Sequence, residues 1–265
     1  MAIDPSARIH PSAVVEEGAA IGPGAMVGAF SVIGPDVRLA ARVEVKSHAI
    51  VTGDTEVGEE TVIFPFANIG DIPQDLKYRG ERTRLVIGAR NRIREGVTMN
   101  TGTEGGGGVT RVGDDNLFMT GAHVGHDAQV GNGVVMANNA ALAGHCVIGD
   151  GVIIGGLSGI HQFVRVGRGA IIGAVTMVTN DVIPYGLVQG PRGVLDGLNL
   201  VGLKRSGVAR TDITALRAAY QALAQGEGAF QERAKRLARD TDSAYVREIV
   251  EFVLGASDRS FLTPS

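Results

Sequence analysis

An aliphatic side chain returns at every sixth position of this chain, and that period excludes most folds at the outset. The series runs Ile9, Val15, Ile21, Val27, Ile33, Leu39, Val45, Val51, Val57, Ile63 and Ile69, then resumes in phase at Ile87, Ile93 and Met99. It slips by one residue and continues at Val112, Phe118, Val124, Val130, Met136, Leu142, Ile148, Ile154, Ile160, Val166, Ile172 and Val178. A helix repeats at about 3.6 residues and a strand at about 2, so neither makes this pattern. A six-residue period builds short strands joined by tight turns, three to a coil, stacked as a triangular parallel β-helix with the repeated aliphatic inside. Glycine and asparagine in "IGPG", "VGNG" and "IGDG" fall where the corners are expected to need positive φ.

Two stretches break the period. "DIPQDLKYRGERTRLV" (71–86) returns in phase and is read as containing a loop extruded from one coil. "NTGTEGGGGVT" (100–110) holds four consecutive glycines, causes the slip and is a second excursion. Loops on a rigid solenoid are where sites are built. The period stops after about Pro184. "TDITALRAAYQALAQ" then opens on a Thr/Asp cap and places Ile213, Leu216, Tyr220 and Leu223 on one helical face. Two further helices are expected over "GAFQERAKRLARD" and "SAYVREIVEFVLGA". The expected organisation is a β-helix over 1–190 and a helical domain over 191–265 that covers its open end.

Composition narrows the class. The chain has 39 glycines, about twice the usual share, yet no Gly-X-Y period and too many aliphatics for disorder. A net charge of −3 gives no global field for nucleic acid. No basic-then-apolar leader is visible, and no run reaches the roughly 20 apolar residues of a membrane span. The lone Cys146 excludes an internal disulfide, fits a reducing cytoplasm and reads as a small buried hydrophobe.

The candidate chemistry lies in "GAHVGHD". His126 falls two places after the rung residue Val124, His145 nineteen residues later and His161 sixteen beyond that. Coils about 5 Å apart would make these three a ladder on one edge, with His123 projecting differently. A solvated polar edge, a metal site shared between subunits and a general base in a cleft are all open. A ladder with steps of about 5 Å supplies only one or two of the ligands that zinc needs within about 2.1 Å, so no resident metal is expected. A general base draws on the near-neutral titration of histidine, with Asp127 or a backbone carbonyl holding the ring. Between 77 and 94 the chain concentrates Lys77, Arg79, Arg82, Arg84, Arg90, Arg92 and Arg94 against Glu81 alone, a patch suited to phosphates or an acidic protein.

The stretches "QDLKYRGERT", "IGARNRIRE", "DDNLFM", "GAHVGHD", "ANNAALAGH", "IGGLSGIHQF" and "NLVGLKR" resemble the UDP-N-acetylglucosamine acyltransferases of lipid A synthesis over essentially the whole chain. The resemblance implies an all-β left-handed parallel β-helix with a C-terminal α-helical domain. It implies transfer of a 3-hydroxyacyl chain from acyl carrier protein, a co-substrate, to the glucosamine 3-hydroxyl of UDP-GlcNAc, with no cofactor. On that pattern His126 is the general base with Asp127 beside it, and Gly144 offers its N–H to the oxyanion. Asp75 and Lys77 contact sugar and phosphates, while His123, His145, His161 and Gln162 line the cleft. Asn199 and Arg205 hold the nucleotide. Ala174 and Ile171 mark the acyl-chain pocket, alanine in place of glycine implying a somewhat shorter chain. A cyclic homotrimer in the cytoplasm is implied too, with the basic patch meeting the carrier protein.

Two departures stand out. Val201 and Ser206 replace a glutamate and an arginine common in the family, which bears on nucleotide binding. "TMNTGT" lacks the usual His-Arg pair, which opens the alternative of a 3-amino UDP-sugar acceptor. A zinc hydro-lyase of carbonic-anhydrase type and a non-catalytic scaffold are the competing classes.

Overall fold

Every rung residue from Ile21 to Val178 is buried, and Ile9 and Val15 at the N-terminal end are half-buried. In the computed structural model, which describes residues 2–264, each rung sits in a short strand beside a residue of the opposite orientation. Residues one coil apart pair in parallel, Ile21 with Leu39 and Val124 with Leu142. Backbone N–H groups find carbonyls of the adjacent coil, as Gly125 N does with Leu142 O at 2.9 Å, so the buried main chain is satisfied. Among the described residues the strands form faces of nine, eleven and nine, called here A, B and C. The result is a left-handed parallel β-helix with a C-terminal helical domain.

The breaks in period resolve into insertions of definite length. Val57 pairs with Ile87, thirty residues on where a plain coil advances eighteen, an insertion of twelve. Ile87 pairs with Val112, twenty-five on, an insertion of seven. Twelve is two repeats, so phase returns; seven is one repeat and one residue, which is the slip. Both insertions open on the edge between faces C and A, after the strands Asn68–Asp71 and Thr98–Asn100. They are tied together there. Asn100 Nδ2 donates to Ile72 O at 2.8 Å and Thr83 Oγ1 to Thr101 Oγ1 at 3.0 Å.

Corner residues differ from expectation. Gly24, Gly133 and Gly151 do take positive φ, but so do Phe30, Arg42, His48, Asp127, His145 and Phe163. Coil-to-coil hydrogen bonding imposes the turn on residues that would otherwise avoid it.

The run of cations at 77–94 is not one patch. Eighteen residues make a full coil, so Arg84 lies on face A, Arg92 on face B and Arg94 at the turn beyond. Most are also neutralised: Arg82 pairs with Asp54 at 3.2 Å, Arg84 with Glu56 at 2.6 Å, Arg90 with Asp115 at 2.7 Å and Arg94 with Glu95 at 3.0 Å.

The strand Val194–Leu198 folds back antiparallel on Gly186–Gln189 and extends face B, so a boundary after residue 190 would divide a hairpin. Helices α1 (Leu200–Arg205), α2 (Arg210–Gln225), α3 (Phe230–Asp240) and α4 (Ala244–Leu254) follow. The expected Thr/Asp cap of α2 does not form. Ala209 is the N-cap, and Asp212 accepts from the Ser243 hydroxyl at 3.1 Å instead. Ile213, Leu216 and Leu223 are buried as expected, while Tyr220 is half-buried and its hydroxyl reaches Leu195 O at 3.1 Å. The helices pack on the last coils through Arg165, whose guanidinium lies 4.5 Å from the Phe252 ring, and through the Tyr185–Glu248 hydrogen bond. No helix among the described residues is long and apolar enough to cross a membrane.

Candidate active site

The site forms where the two insertions meet the corner of the following coil. Asp127 occupies that corner at φ 60° and is buried. Its carboxylate would be costly there without partners, and it has them. Thr103 N donates to Oδ1 at 2.8 Å, Thr103 Oγ1 to Oδ2 at 2.6 Å, and His126 Nδ1 to Oδ2 at 2.8 Å. The glycine-rich insertion is shaped to that carboxylate, since a Cβ on Gly106 would lie 2.1 Å from its carbon.

With Nδ1–H given to Asp127, His126 keeps Nε2 free to accept a proton. Its ring lies over Gly144, where a Cβ would come within 2.4 Å of Cε1 and 2.5 Å of Nε2. Only glycine fits, and a backbone amide is thereby brought beside the base. His145 meets the His126 ring edge-on at 5.0 Å and stacks on Phe163 at 4.4 Å. Burial holds the His145 imidazole below its ordinary titration range, against the opposing pull of Asp127. His123 is lowered as well, by burial first and then by His126.

The three histidines share an edge but not a column: His126, His145 and His161 fall one residue before, at and two residues before the corners of successive coils. Asp127, His145 and Phe163 share the left-handed corner on successive coils, so His145 continues Asp127 rather than His126. His161 sits two residues before Phe163, with its Nδ1 accepting from Arg259 Nη2 at 2.8 Å. His123, expected to project differently, shares a cleft of about 460 Å³ with His126, Gly144, His161 and Gln162. Gln74 and Asn100 make one end of the cleft polar, and Ala141, Ile160 and Met177 make the other apolar.

Asp75 and Lys77 ride on the first insertion. The Asp75 carboxyl is held below the usual carboxylate range chiefly by the Lys77 backbone N–H at 3.0 Å, then by the nearby His126 and by Lys77 and His145. Asp75, Lys77 and His145 stand beside the cleft without lining it, and four further expected residues lie away from it within one chain. Asn199 caps α1, accepting from Gly202 N at 2.9 Å and donating to Gly169 O at 3.0 Å, and lines a separate cavity of about 310 Å³. Arg205 ends α1 on the exposed surface. Ala174 is an exposed corner and Ile171 a half-buried residue of face B. Sequence reasoning missed Gln74, Asn100 and Thr103. The quoted stretches contained all three, but Asn100 and Thr103 find their partners Ile72 and Asp127 a coil away, and only the folded chain puts Gln74 on the cleft.

His126, Asp127 and His145 also bring potential metal-ligand atoms within 4.8 Å of one another. Hydrogen bonds already occupy both oxygens of Asp127 and Nδ1 of His126. That donor set suits proton transfer better than zinc. Burial pushes the Cys146 thiol up to about 12, so it packs rather than attacks.

A family model described as Udp N-acetylglucosamine O-acyltransferase, Domain 2, matches residues 181–262. A protein of Paracoccus denitrificans named acyl-[acyl-carrier-protein]–UDP-N-acetylglucosamine O-acyltransferase is 66% identical over 204 residues, 77% of each chain. One of the same name from Caulobacter vibrioides is 58% identical over 257 residues, 97% of this chain and 98% of its own. This chain belongs to that acyltransferase family. A solved UDP-N-acetylglucosamine acyltransferase from Campylobacter jejuni superposes at TM-score 0.92 and 37% identity, over 97% of this chain and 100% of that one. Family membership extends through the helical tail, not the β-helix alone.

Proposed function

We propose that this chain transfers a 3-hydroxyacyl group from acyl carrier protein to the 3-hydroxyl of UDP-GlcNAc, the first step of lipid A biosynthesis, with His126 as general base. The observation that carries the mechanism is the His126 ring in the cleft with Nδ1 tied to buried Asp127. The sugar hydroxyl attacks the thioester carbonyl while Nε2 takes its proton, and Asp127 stabilises the imidazolium. The Gly144 amide faces the developing oxyanion, a contribution of about 3–4 kcal/mol in comparable sites. The C–S bond breaks and the thiolate leaves with the proton from His126. No covalent enzyme intermediate and no cofactor enter; orientation of both substrates does much of the work.

Asp75 and Lys77 suit the sugar and phosphates, and His123, His145, His161 and Gln162 the walls of the substrate cleft. Because Asn199, Arg205, Ala174 and Ile171 lie outside the cleft of their own chain, a neighbouring copy is needed to bring them to it. A cyclic trimer in the cytoplasm, where activated sugars and acyl carrier protein are held, is the assembly we propose. Its mass in solution checks this. Transfer assays with UDP-GlcNAc and 3-hydroxyacyl carrier proteins of about 10 to 16 carbons test the reaction; turnover absent for every chain length would reject it.

A second reading concerns the acceptor. Asn100 is buried, lines the polar end of the cleft, and its Oδ1 has no hydrogen-bond partner among the described residues. A 3-amino sugar offers one proton to His126 and a second N–H to the polar end of the cleft formed by Gln74 and Asn100, whereas a hydroxyl offers one proton only. Competition between UDP-GlcNAc and its 3-amino analogue in the same assay separates the two.

A further inference from the structure

Arg259 comes from the C-terminal segment, ninety-eight residues after His161, and donates Nη2–H to His161 Nδ1 at 2.8 Å. Its Nε donates to Gln162 O at 3.0 Å, so the guanidinium grips the His161–Gln162 corner with two bonds. The segment that presents it is anchored. Buried Asp181 accepts from Ser257 Oγ at 2.6 Å and from Arg165 Nε at 2.7 Å, and its backbone bonds to Ser260 and Leu262 at 2.8 Å each. Phe252 and Phe261 pack around Arg165, at 4.5 and 5.8 Å from its guanidinium.

A guanidinium has donors only and stays charged. Facing it, His161 Nδ1 must be an acceptor, and the proton of the neutral ring resides on Nε2. Gln162 O also lies 3.3 Å from Nδ1, but that longer contact yields to the 2.8 Å bond from the charged guanidinium, which satisfies the same carbonyl through Nε. Nε2 is unbonded among the described residues, in a ring that lines the cleft near the apolar residues Ile160 and Met177. That end suits the acyl donor rather than the nucleotide sugar.

We propose that Arg259 is a positioning residue for the transfer reaction, fixing His161 as an Nε2–H donor toward the acyl-donor end of the cleft and coupling that end to the anchored C-terminal segment. The assignment of the end rests on the acyltransferase reading; the tautomer does not. Losing the guanidinium frees Nδ1 and lets both neutral tautomers populate.

The test has two arms on the full chain. Long-range proton–nitrogen spectra of His161 recorded at about pH 9, where imidazoles are ordinarily neutral, are expected to show the Nε2–H form alone in the parent and in Arg259→Lys, and a mixture in Arg259→Ala. Kinetically, Arg259→Ala is expected to lower kcat/KM for acyl carrier protein about tenfold, the size of a hydrogen bond to a charged group, with KM for UDP-GlcNAc moving less than threefold. In a His161→Ala background the same change is expected to add nothing. An unchanged tautomer in Arg259→Ala, or a full tenfold loss persisting without His161, overturns the proposal. If the parent transfers no acyl group, the acyltransferase reading fails, and the spectra still decide the tautomer.

Discussion

Nδ1 of His126 stands 2.8 Å from Oδ2 of Asp127, and Thr103 Oγ1 holds the same oxygen from the other side at 2.6 Å. Although the first two residues are adjacent in sequence, the bond depends on Asp127 adopting φ 60° at a corner and on an insertion that closes over it. The carboxylate is thus an oriented partner for the base, fixing its tautomer. Replacing His126 by alanine is expected to lower kcat by about 10²–10⁴-fold with little change in either KM. Steady-state transfer kinetics check this, and near-parental kcat would remove His126 from the mechanism.

Thr103 makes a second, quieter test. Thr103→Val keeps the volume and deletes the hydroxyl, leaving Oδ2 one donor short. A loss in kcat of roughly tenfold is expected, the scale of one charge-assisted bond. Gly106→Ala acts on the same carboxylate by collision and is expected to cost at least as much, because its Cβ falls within 2.4 Å of both oxygens. Equal kcat for parent and Thr103→Val would show that His126 and the backbone N–H of residue 103 suffice to orient the carboxylate.

Gly144→Ala is expected to displace the base rather than unfold the chain. The new methyl would lie 2.4 Å from the His126 ring, so the imidazole must swing away from the Gly144 backbone. Turnover should drop while the thermal midpoint moves by only a few degrees. A collapse of the midpoint with the specific activity of the folded fraction intact would assign Gly144 to packing.

Acid should destabilise the fold through His123 and His145. Both are lowered from 6.5 in the folded chain, burial being the first cause for each. As pH falls below about 6.5 the unfolded chain binds these protons first, so the stabilisation present above that pH is lost as pH falls through the folded values. Denaturant midpoints for the parent and His123→Gln should converge as the pH is lowered. A parent midpoint flat from neutrality to pH 5 contradicts the assignment.

The rungs set overall stability. Phe118 is the bulkiest of the fully buried side chains. Phe118→Ala should cost about 3–5 kcal/mol, transfer and cavity together, read from urea unfolding. A change below about 1 kcal/mol would mean that neighbouring coils collapse into the space.

Much of the architecture was legible because a β-helix writes its interior as a linear period: each rung contacts residues a fixed eighteen positions away. Even the insertions could be read in kind, since twelve residues preserve the phase and seven shift it by one. The motif holding His126, Asp127 and Gly144 was readable for the same reason, as these groups lie on adjacent coils. What failed was inference from linear proximity on a chain that turns. The arginines between 79 and 94 are close in sequence but spread around the prism; acids on nearby coils pair with Arg82, Arg84 and Arg90, and the adjacent Glu95 pairs with Arg94. Asn199, which the resemblance makes a nucleotide ligand, caps a helix outside the cleft of its own chain, a placement no linear motif shows. The sequence by itself determined the repeat, the core and the candidate base. Only the tertiary structure decided that Thr103 holds Asp127 and that Arg259 meets His161, because both contacts join residues whose separation follows no repeat and whose bonds exist only once the insertions and the tail have packed.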